Sequence, residues 1–188
     1  MKKIIALSLV LLFSVLLFSS CGKKQHTVEI TVENYGVITL TLDESIAPIT
    51  VKNFLKLVND GFYDGLTFHR IMEGFMIQGG DPNGDGSGGS PEKIKGEFLA
   101  NGVKNDLSHK RGVISMARRS YPYDSASSQF FIVHEDSVFL DGQYAAFGWV
   151  TSGMEVVDAI CENTPVVDNN GTVLSGNQPK ITSIRVIE

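Results

Sequence analysis

The sequence predicts a mainly β domain whose strands close into an antiparallel barrel, with helices plugging it. Three observations carry this. Short runs that alternate polar with apolar residues, or are rich in β-branched and aromatic ones, recur from Thr27 to Ile187. Only two stretches place apolar residues at helical spacing. Glycine-rich or polar loops separate the runs, with no internal repeat and no inter-domain linker. Short strands that do not alternate with helices pair antiparallel, and closure removes their exposed edges.

Thr27-Val28-Glu29-Ile30-Thr31-Val32 alternates, and Val37-Ile38-Thr39-Leu40-Thr41-Leu42 alternates again after Glu33-Asn34-Tyr35-Gly36. Two such runs around an Asn- and Gly-containing turn make a hairpin. Pro48 and Thr50 are helix-start residues, and Val51, Phe54, Leu55 and Val58 follow at i, i+3, i+4 and i+7 before Gly61 ends the helix. Its apolar stripe is expected to cover an open end or face of the sheet. Leu66 to Met72, Phe75 to Gly79, Gly112 to Met116, Gln129 to Val133 and Ala146 to Val150 are short and β-rich. A second helical pattern covers Gly153 to Glu162, a turn-rich segment runs from Pro165 to Pro179, and Lys180 to Ile187 alternates as a last strand.

At 188 residues the chain is long enough for one well-cored domain and short for two. A hydrophobic share of 43% against 20% charged residues places it among globular proteins. The net charge is -5, and it becomes -7 once Lys2 and Lys3 in the first twenty residues are set aside. An acidic domain without a basic run offers no footprint for nucleic acid.

Met1-Lys2-Lys3 precedes an apolar stretch from Ile4 to Phe18. That stretch is shorter than the roughly 20 residues a spanning helix needs, so residues 1–20 read as a signal peptide. Ser19-Ser20-Cys21 puts small residues directly before a cysteine. This resembles the lipobox of bacterial lipoproteins, although Phe18 stands where that motif usually has Leu. The resemblance implies lipidation at Cys21, which becomes the mature N-terminus. The expected organisation is a signal peptide over 1–20, a lipidated cysteine and short tether over 21–26, and one domain over 27–188. The protein is then extracytoplasmic and lipid-anchored to a bacterial membrane; an ordinary secreted protein is the alternative. Cys161, within a helical pattern, reads as a small core hydrophobe rather than a disulfide partner of Cys21.

Several formal motifs carry little. Asp81-Pro82-Asn83-Gly84-Asp85-Gly86, with Glu92 at the twelfth position, matches a calcium-loop pattern, but no helix precedes it and Gly88 replaces the apolar anchor. Gly84-x-Gly86-x-x-Gly89 matches a dinucleotide fingerprint without opening a helix. His26, His69, His109 and His134 lack metal-ligand spacing, and Ser125, Ser127 and Ser128 near His134 lack a nucleophile elbow. No metal and no cofactor is expected.

Phe68-His69-Arg70 and Gly74-Phe75-Met76-Ile77-Gln78-Gly79-Gly80-Asp81-Pro82 closely resemble the cyclophilin family of peptidyl-prolyl isomerases. The resemblance continues through Gly112 to Ala117, Ser128 to Ile132, Leu140-Asp141-Gly142 and Phe147-Gly148, and includes Pro48-x-Thr50-x-x-Asn53-Phe54. It implies an eight-stranded antiparallel barrel capped by two α-helices. It also implies catalysis of Xaa-Pro rotation, with Arg70, Gln78 and Phe131 as the catalytic set. Phe75, Met76, Ala117, Gln129, Phe139, Leu140 and Tyr144 fall on the substrate-binding positions.

Strand alternation offers a check independent of the family. Met76 and Gln78 share a face opposite Ile77, Gln129 and Phe131 share one opposite Phe130 and Ile132, and Arg70 lies opposite Ile71. The chain departs from the animal pattern at Phe139, where many members have Trp, at Tyr144, where they have His, and at Arg118, where they have Asn. The expected partners are proline-containing polypeptides, and the expected state is a monomer. The alternative is a non-catalytic proline-peptide binding module or holdase that uses the same groove.

Overall fold

A computed structural model describes residues 25–187. The expected signal peptide, the lipidation at Cys21 and the tether up to residue 24 lie outside the described residues. The elements run β1 (Gln25–Val32), β2 (Gly36–Asp43), α1 (Pro48–Asn59), β3 (Phe68–Met72), β4 (Met76–Gly79), β5 (Val113–Met116), β6 (Phe130–Val133), β7 (Ala146–Ser152), α2 (Met154–Asn163) and β8 (Ile181–Val186). Gln25 and His26, expected in the tether, pair with Asp43 and Leu42 at the start of β1.

The first hairpin forms as its alternation predicts. Val28, Ile30 and Val32 of β1 lie opposite Leu40, Ile38 and Gly36 of β2, and the apolar residues among them are buried, whereas Val37 on the other face is exposed. Asn34 sits in the turn at φ 65°, a left-handed position that Asn tolerates better than most residues. The eight strands form a single antiparallel sheet in the order β3-β4-β6-β5-β7-β2-β1-β8.

The sheet curls strongly but stays open, which corrects the expectation of a closed barrel. Its two edge strands, β3 and β8, do not pair; only the residues just before them, Thr67 and Lys180, form an isolated bridge. Beyond that bridge the edge of β3 is occupied by the chain leading into β8. Phe68 N–H donates to the Pro179 carbonyl (2.9 Å), Ile71 N–H to that of Gly171 (2.8 Å), and Val173 N–H to that of His69 (3.1 Å). β8 in turn runs beside the loop before β3, where Ile181 N–H donates to Leu66 and Gly65 N–H to Ile181, both at 2.8 Å. Both edges therefore satisfy their backbone groups without forming a ladder to each other.

Inside the curl, Phe54 of α1 packs against Tyr63, Phe130 and Phe147 at centroid separations of 5.0, 5.5 and 5.3 Å. Val51, Leu57 and Val58 complete the buried face of α1, while Leu55 is only partly covered. The helix starts at Pro48 without a side-chain cap of its own, because Ala47 holds the N-cap position. The missing acceptor is Glu97, 2% exposed, whose carboxylate takes the N–H of Ile49 (3.1 Å), the N–H of Thr50 (2.7 Å) and the Thr50 hydroxyl (2.7 Å). The opposite end of the curl is covered by α2 through Val156, Val157, Ile160 and Cys161. Burial pushes the Cys161 thiol up to about 12, which leaves it an inert core group, as expected for that helix.

Candidate active site

Alternation along β4 and β6 sorts their side chains onto two faces of the sheet. Ile77, Phe130 and Ile132 enter the interior with Ile71, whereas Met76, Phe131 and Val133 form a second apolar cluster on the outer face with Leu140 and Ala146. Above this second cluster lies a groove of about 310 Å³. Arg70, Phe75, Met76, Gln78, Ala117, Phe131, Phe139, Leu140 and Tyr144 line it, together with Arg118. Of the sequence-predicted substrate residues, Gln129 alone lies outside this lining. It belongs to an adjoining groove and reaches the first one through Gln78.

Arg70 stands opposite Gln78 in the β3–β4 register. Its Nη1 donates to Gln78 Oε1 at 3.3 Å, and Gln78 Nε2 donates to Gln129 Oε1 at 2.9 Å. Gln129 Nε2 is fixed in turn by the carbonyls of Gly86 (3.0 Å) and Gly88 (2.8 Å). This relay sets the orientation of both amides, because each amide nitrogen has an acceptor and each oxygen a donor. On the other side, Asn170 accepts from Arg70 Nε through its backbone carbonyl (2.8 Å) and from Nη2 through Oδ1 (3.1 Å). The guanidinium is half-buried, which lowers its pKa somewhat from the ordinary value, yet it stays cationic. All its hydrogen-bond partners are neutral, and the one carboxylate that acts on it, Asp168, does so without a hydrogen bond.

Phe131 forms the floor between two rings. Tyr144 meets it edge-on at 5.9 Å, and His109 stacks beneath it at 6.1 Å and 17°. His109 is held by Asp141 Oδ1 at Nδ1 (2.9 Å) and by the Ser115 hydroxyl at Nε2 (3.0 Å). This is the atom order of a hydrolase triad, but Ser115 is 0% exposed under Phe131, so no substrate reaches it. Here the constellation supports an aromatic floor. Phe139 is 70% exposed and leans on Phe75 with centroids 5.5 Å apart, giving the groove an apolar rim.

The loop that matched a calcium pattern is organised from within. Asp81 is buried and its carboxylate accepts the backbone N–H groups of Asn83, Asp85 and Gly86. Among the described residues no cluster of His, Cys, Asp or Glu has the arrangement of a metal site.

Sequence reasoning missed Asn170, His109 with Ser115 and Asp141, and the place of Arg118 in the groove wall. Each acts through a contact between segments far apart in the chain. The only local signal was the turn-forming composition around Asn170.

Two of the three buried histidines, His69 and His109, give the domain a pH dependence of known sign. His69 is 5% exposed and neither of its ring nitrogens has a hydrogen-bond partner. Burial lowers its pKa, with Asp81 opposing and Arg70 reinforcing the shift. Burial also lowers the pKa of His109, against the pull of Asp141. Below the ordinary value of 6.5 the unfolded chain therefore binds more protons than the folded one. The stability contributed by the neutral rings is complete above that pH and is lost as pH falls below it. Urea midpoints are expected to drop between about pH 7 and about pH 5, and His69→Gln to flatten that slope. An unchanged slope in the variant would rule out His69 as a source.

A curled sheet that holds a guanidinium by neutral hydrogen-bond partners over an apolar floor, in a groove lined by no serine, cysteine, histidine or carboxylate, suits rotating a bond rather than cleaving one. The model of the cyclophilin type peptidyl-prolyl cis-trans isomerase/CLD family matches residues 27–186. Peptidyl-prolyl cis-trans isomerase A of Dickeya dadantii is 48% identical over 132 residues, 68% of this chain and 67% of the relative. Peptidyl-prolyl cis-trans isomerase B of Bacillus subtilis is 48% identical over 123 residues, 65% of this chain and 82% of the relative. The crystal structure of a Cryptosporidium parvum cyclophilin type isomerase, determined in the presence of the dipeptide Ala-Pro, superposes with a TM-score of 0.75 at 33% identity. It covers 86% of this chain and 99% of that one. The chain belongs to the cyclophilin-type peptidyl-prolyl cis-trans isomerase family, and its fold is the cyclophilin fold. Its activity is cis-trans isomerisation of peptidyl-prolyl bonds.

Proposed function

We propose that the protein is a lipid-anchored, monomeric prolyl isomerase that assists folding outside the cytoplasm. In this reading Arg70, Gln78 and Phe131 carry catalysis, and Phe75, Met76, Ala117, Gln129, Phe139, Leu140 and Tyr144 hold the substrate. The observation that carries it is the guanidinium of Arg70, oriented from both sides by neutral partners above the Met76–Phe131 floor.

Rotation about a peptide bond costs about 18–20 kcal/mol, and spontaneous Xaa-Pro exchange takes tens of seconds or longer. A turnover of about a thousand per second requires roughly 10⁵-fold acceleration, or about 7 kcal/mol. Twisting breaks amide resonance, so the prolyl nitrogen becomes pyramidal and regains a lone pair. Arg70 donates to that nitrogen or to a neighbouring carbonyl, and a hydrogen bond to a charged group contributes about 1.5–3 kcal/mol. The rest comes from the apolar floor, which grips the proline ring and disfavours the more polar planar amide, and from Gln78, which orients Arg70 and the substrate carbonyl.

The Ala-Pro dipeptide named with the Cryptosporidium relative supports proline-containing peptides as the substrate class. Exchange of a short Xaa-Pro peptide by the soluble domain tests the reading, and a pure holdase would leave the exchange rate at its spontaneous value. The anchor rests on Ser19-Ser20-Cys21. Cys21→Ser is expected to release the protein from the membrane fraction; persistence there would disprove lipidation at this residue.

Phe139 bears on inhibitor binding. It keeps the apolar rim but has no indole N–H to donate. Cyclosporin, a ligand of the Trp-bearing members, is therefore expected to inhibit weakly, and Phe139→Trp to tighten it about tenfold, the worth of one hydrogen bond. Nanomolar inhibition of the unmutated protein would contradict this.

A further inference from the structure

The turn between β3 and β4 delivers Phe75 to the rim of the groove, where its ring leans on Phe139 and its centroid lies 5.9 Å from the guanidinium carbon of Arg70. The turn is closed by Phe75 N–H donating to the Met72 carbonyl at 3.0 Å, with Gly74 at φ 76°. Gly74 has positive φ and Glu73 before it does not, which makes the turn type II. Flipping its central peptide, Glu73–Gly74, gives a type I turn, and glycine itself opposes neither form. The choice falls to a contact from outside the turn.

His134, just past the end of β6, makes that contact. It is buried and meets the turn twice: its backbone N–H donates to the Phe75 carbonyl (2.8 Å), and its ring Nδ1 accepts the Gly74 N–H (2.9 Å). A backbone N–H can only donate, so Nδ1 presents its lone pair and the ring proton sits on Nε2. That proton faces Asp158 Oδ1 of α2 at 3.1 Å. Asp158 is clamped in turn by Arg111, whose Nη2 reaches its two carboxylate oxygens (2.8 and 2.7 Å) and whose Nη1 donates to the His134 carbonyl (2.8 Å). The contacts run from α2, through an imidazole of fixed tautomer, to the one peptide whose flip would change the turn before Phe75.

We propose that His134 is a positioning residue for the prolyl reaction, whose Nδ1 locks the Glu73–Gly74 peptide and so holds Phe75 in place at the groove. The ring touches no substrate; it acts through the turn. A wall that grips planar and twisted substrate alike contributes uniform binding, so loss of the lock falls on KM rather than on kcat. The proposal rests on the reading of Phe75 as a residue that holds the substrate, and it adds what fixes that residue.

Two substitutions separate the two ring nitrogens. His134→Asn puts an acceptor where Nδ1 stands but does not reach Asp158, whereas His134→Gln puts a donor where Nε2 stands and no acceptor for Gly74. His134→Gln is expected to raise KM for a short Xaa-Pro peptide about fivefold with kcat within about twofold, in the range of one lost hydrogen bond. In the same variant the Gly74 amide proton moves upfield in the NMR spectrum, as for an N–H that loses its acceptor. His134→Asn restores both. All proteins are compared below their Tm, since a merely structural role lowers Tm without splitting the two variants in KM. An unchanged KM in His134→Gln, or a His134→Asn as impaired as His134→Gln, overturns the proposal. Phe75→Ala keeps the two readings apart. If it leaves KM unchanged, the assignment of Phe75 to the substrate fails and the proposal with it; if it raises KM while His134→Gln does not, the role of His134 alone is refuted.

Discussion

Replacing Arg70 with alanine is expected to lower kcat/KM on an Xaa-Pro peptide about a hundredfold, while Tm moves by no more than a few degrees. The magnitude follows from what the side chain supplies. A charge-assisted hydrogen bond formed in the twisted state contributes about 1.5–3 kcal/mol, and about 1.4 kcal/mol is tenfold in rate. No neighbour can take over. Arg118 lines the same groove, but its Nε and Nη1 are committed to backbone carbonyls. Gln78 remains in the variant, yet it carries no charge and loses the donor that fixed its oxygen. The fold should survive because Arg70 contacts only neutral groups at the groove's edge, leaving no buried carboxylate unpaired. Arg70→Lys keeps the charge but cannot donate to Asn170 and Gln78 through a planar fork, so its rate falls between the two. Exchange at the unmutated rate in Arg70→Ala would remove Arg70 from the mechanism.

The parts of the fold readable from sequence are those with a local period. Alternation around Ile77 and around Phe130–Ile132 predicted which side chains enter the core, and the structure divides them that way between interior and groove. The helix over 48–59 was equally legible from its stripe, save that Leu57 rather than Leu55 is buried. Barrel closure was not legible, because it depends on whether β3 and β8 pair with each other, and no local pattern in either strand encodes that. The supports of the site were hidden for a related reason. Asn170 lies 100 residues from Arg70, and Asp141 lies 32 from His109, each in a loop without periodicity. A polar residue in a loop looks the same in sequence whether it faces water or fixes the guanidinium at the groove.

Glu97 is the strongest case of such a hidden partner, and its removal is expected to cost the fold more than any surface change. In Glu97→Ala the N–H groups of Ile49 and Thr50 and the Thr50 hydroxyl lose a buried acceptor in one step. Each unsatisfied buried group costs about 1–3 kcal/mol, and the first turn of α1 also loses the negative charge that complements its dipole. A loss of about 3–4 kcal/mol in urea unfolding is expected, a large share of the roughly 5–15 kcal/mol a domain holds. Glu97→Gln keeps an acceptor in the same place and should lose about half as much. The consequence for catalysis is indirect. α1 drives Phe54 against Phe130, whose neighbour in β6 is Phe131, so the cap secures the back of the sheet that carries the groove floor. At temperatures where Glu97→Ala is still folded, kcat/KM should therefore match that of the unmutated protein. A drop in kcat/KM there, or a stability loss below about 1 kcal/mol, would show that Glu97 does something other than cap this helix.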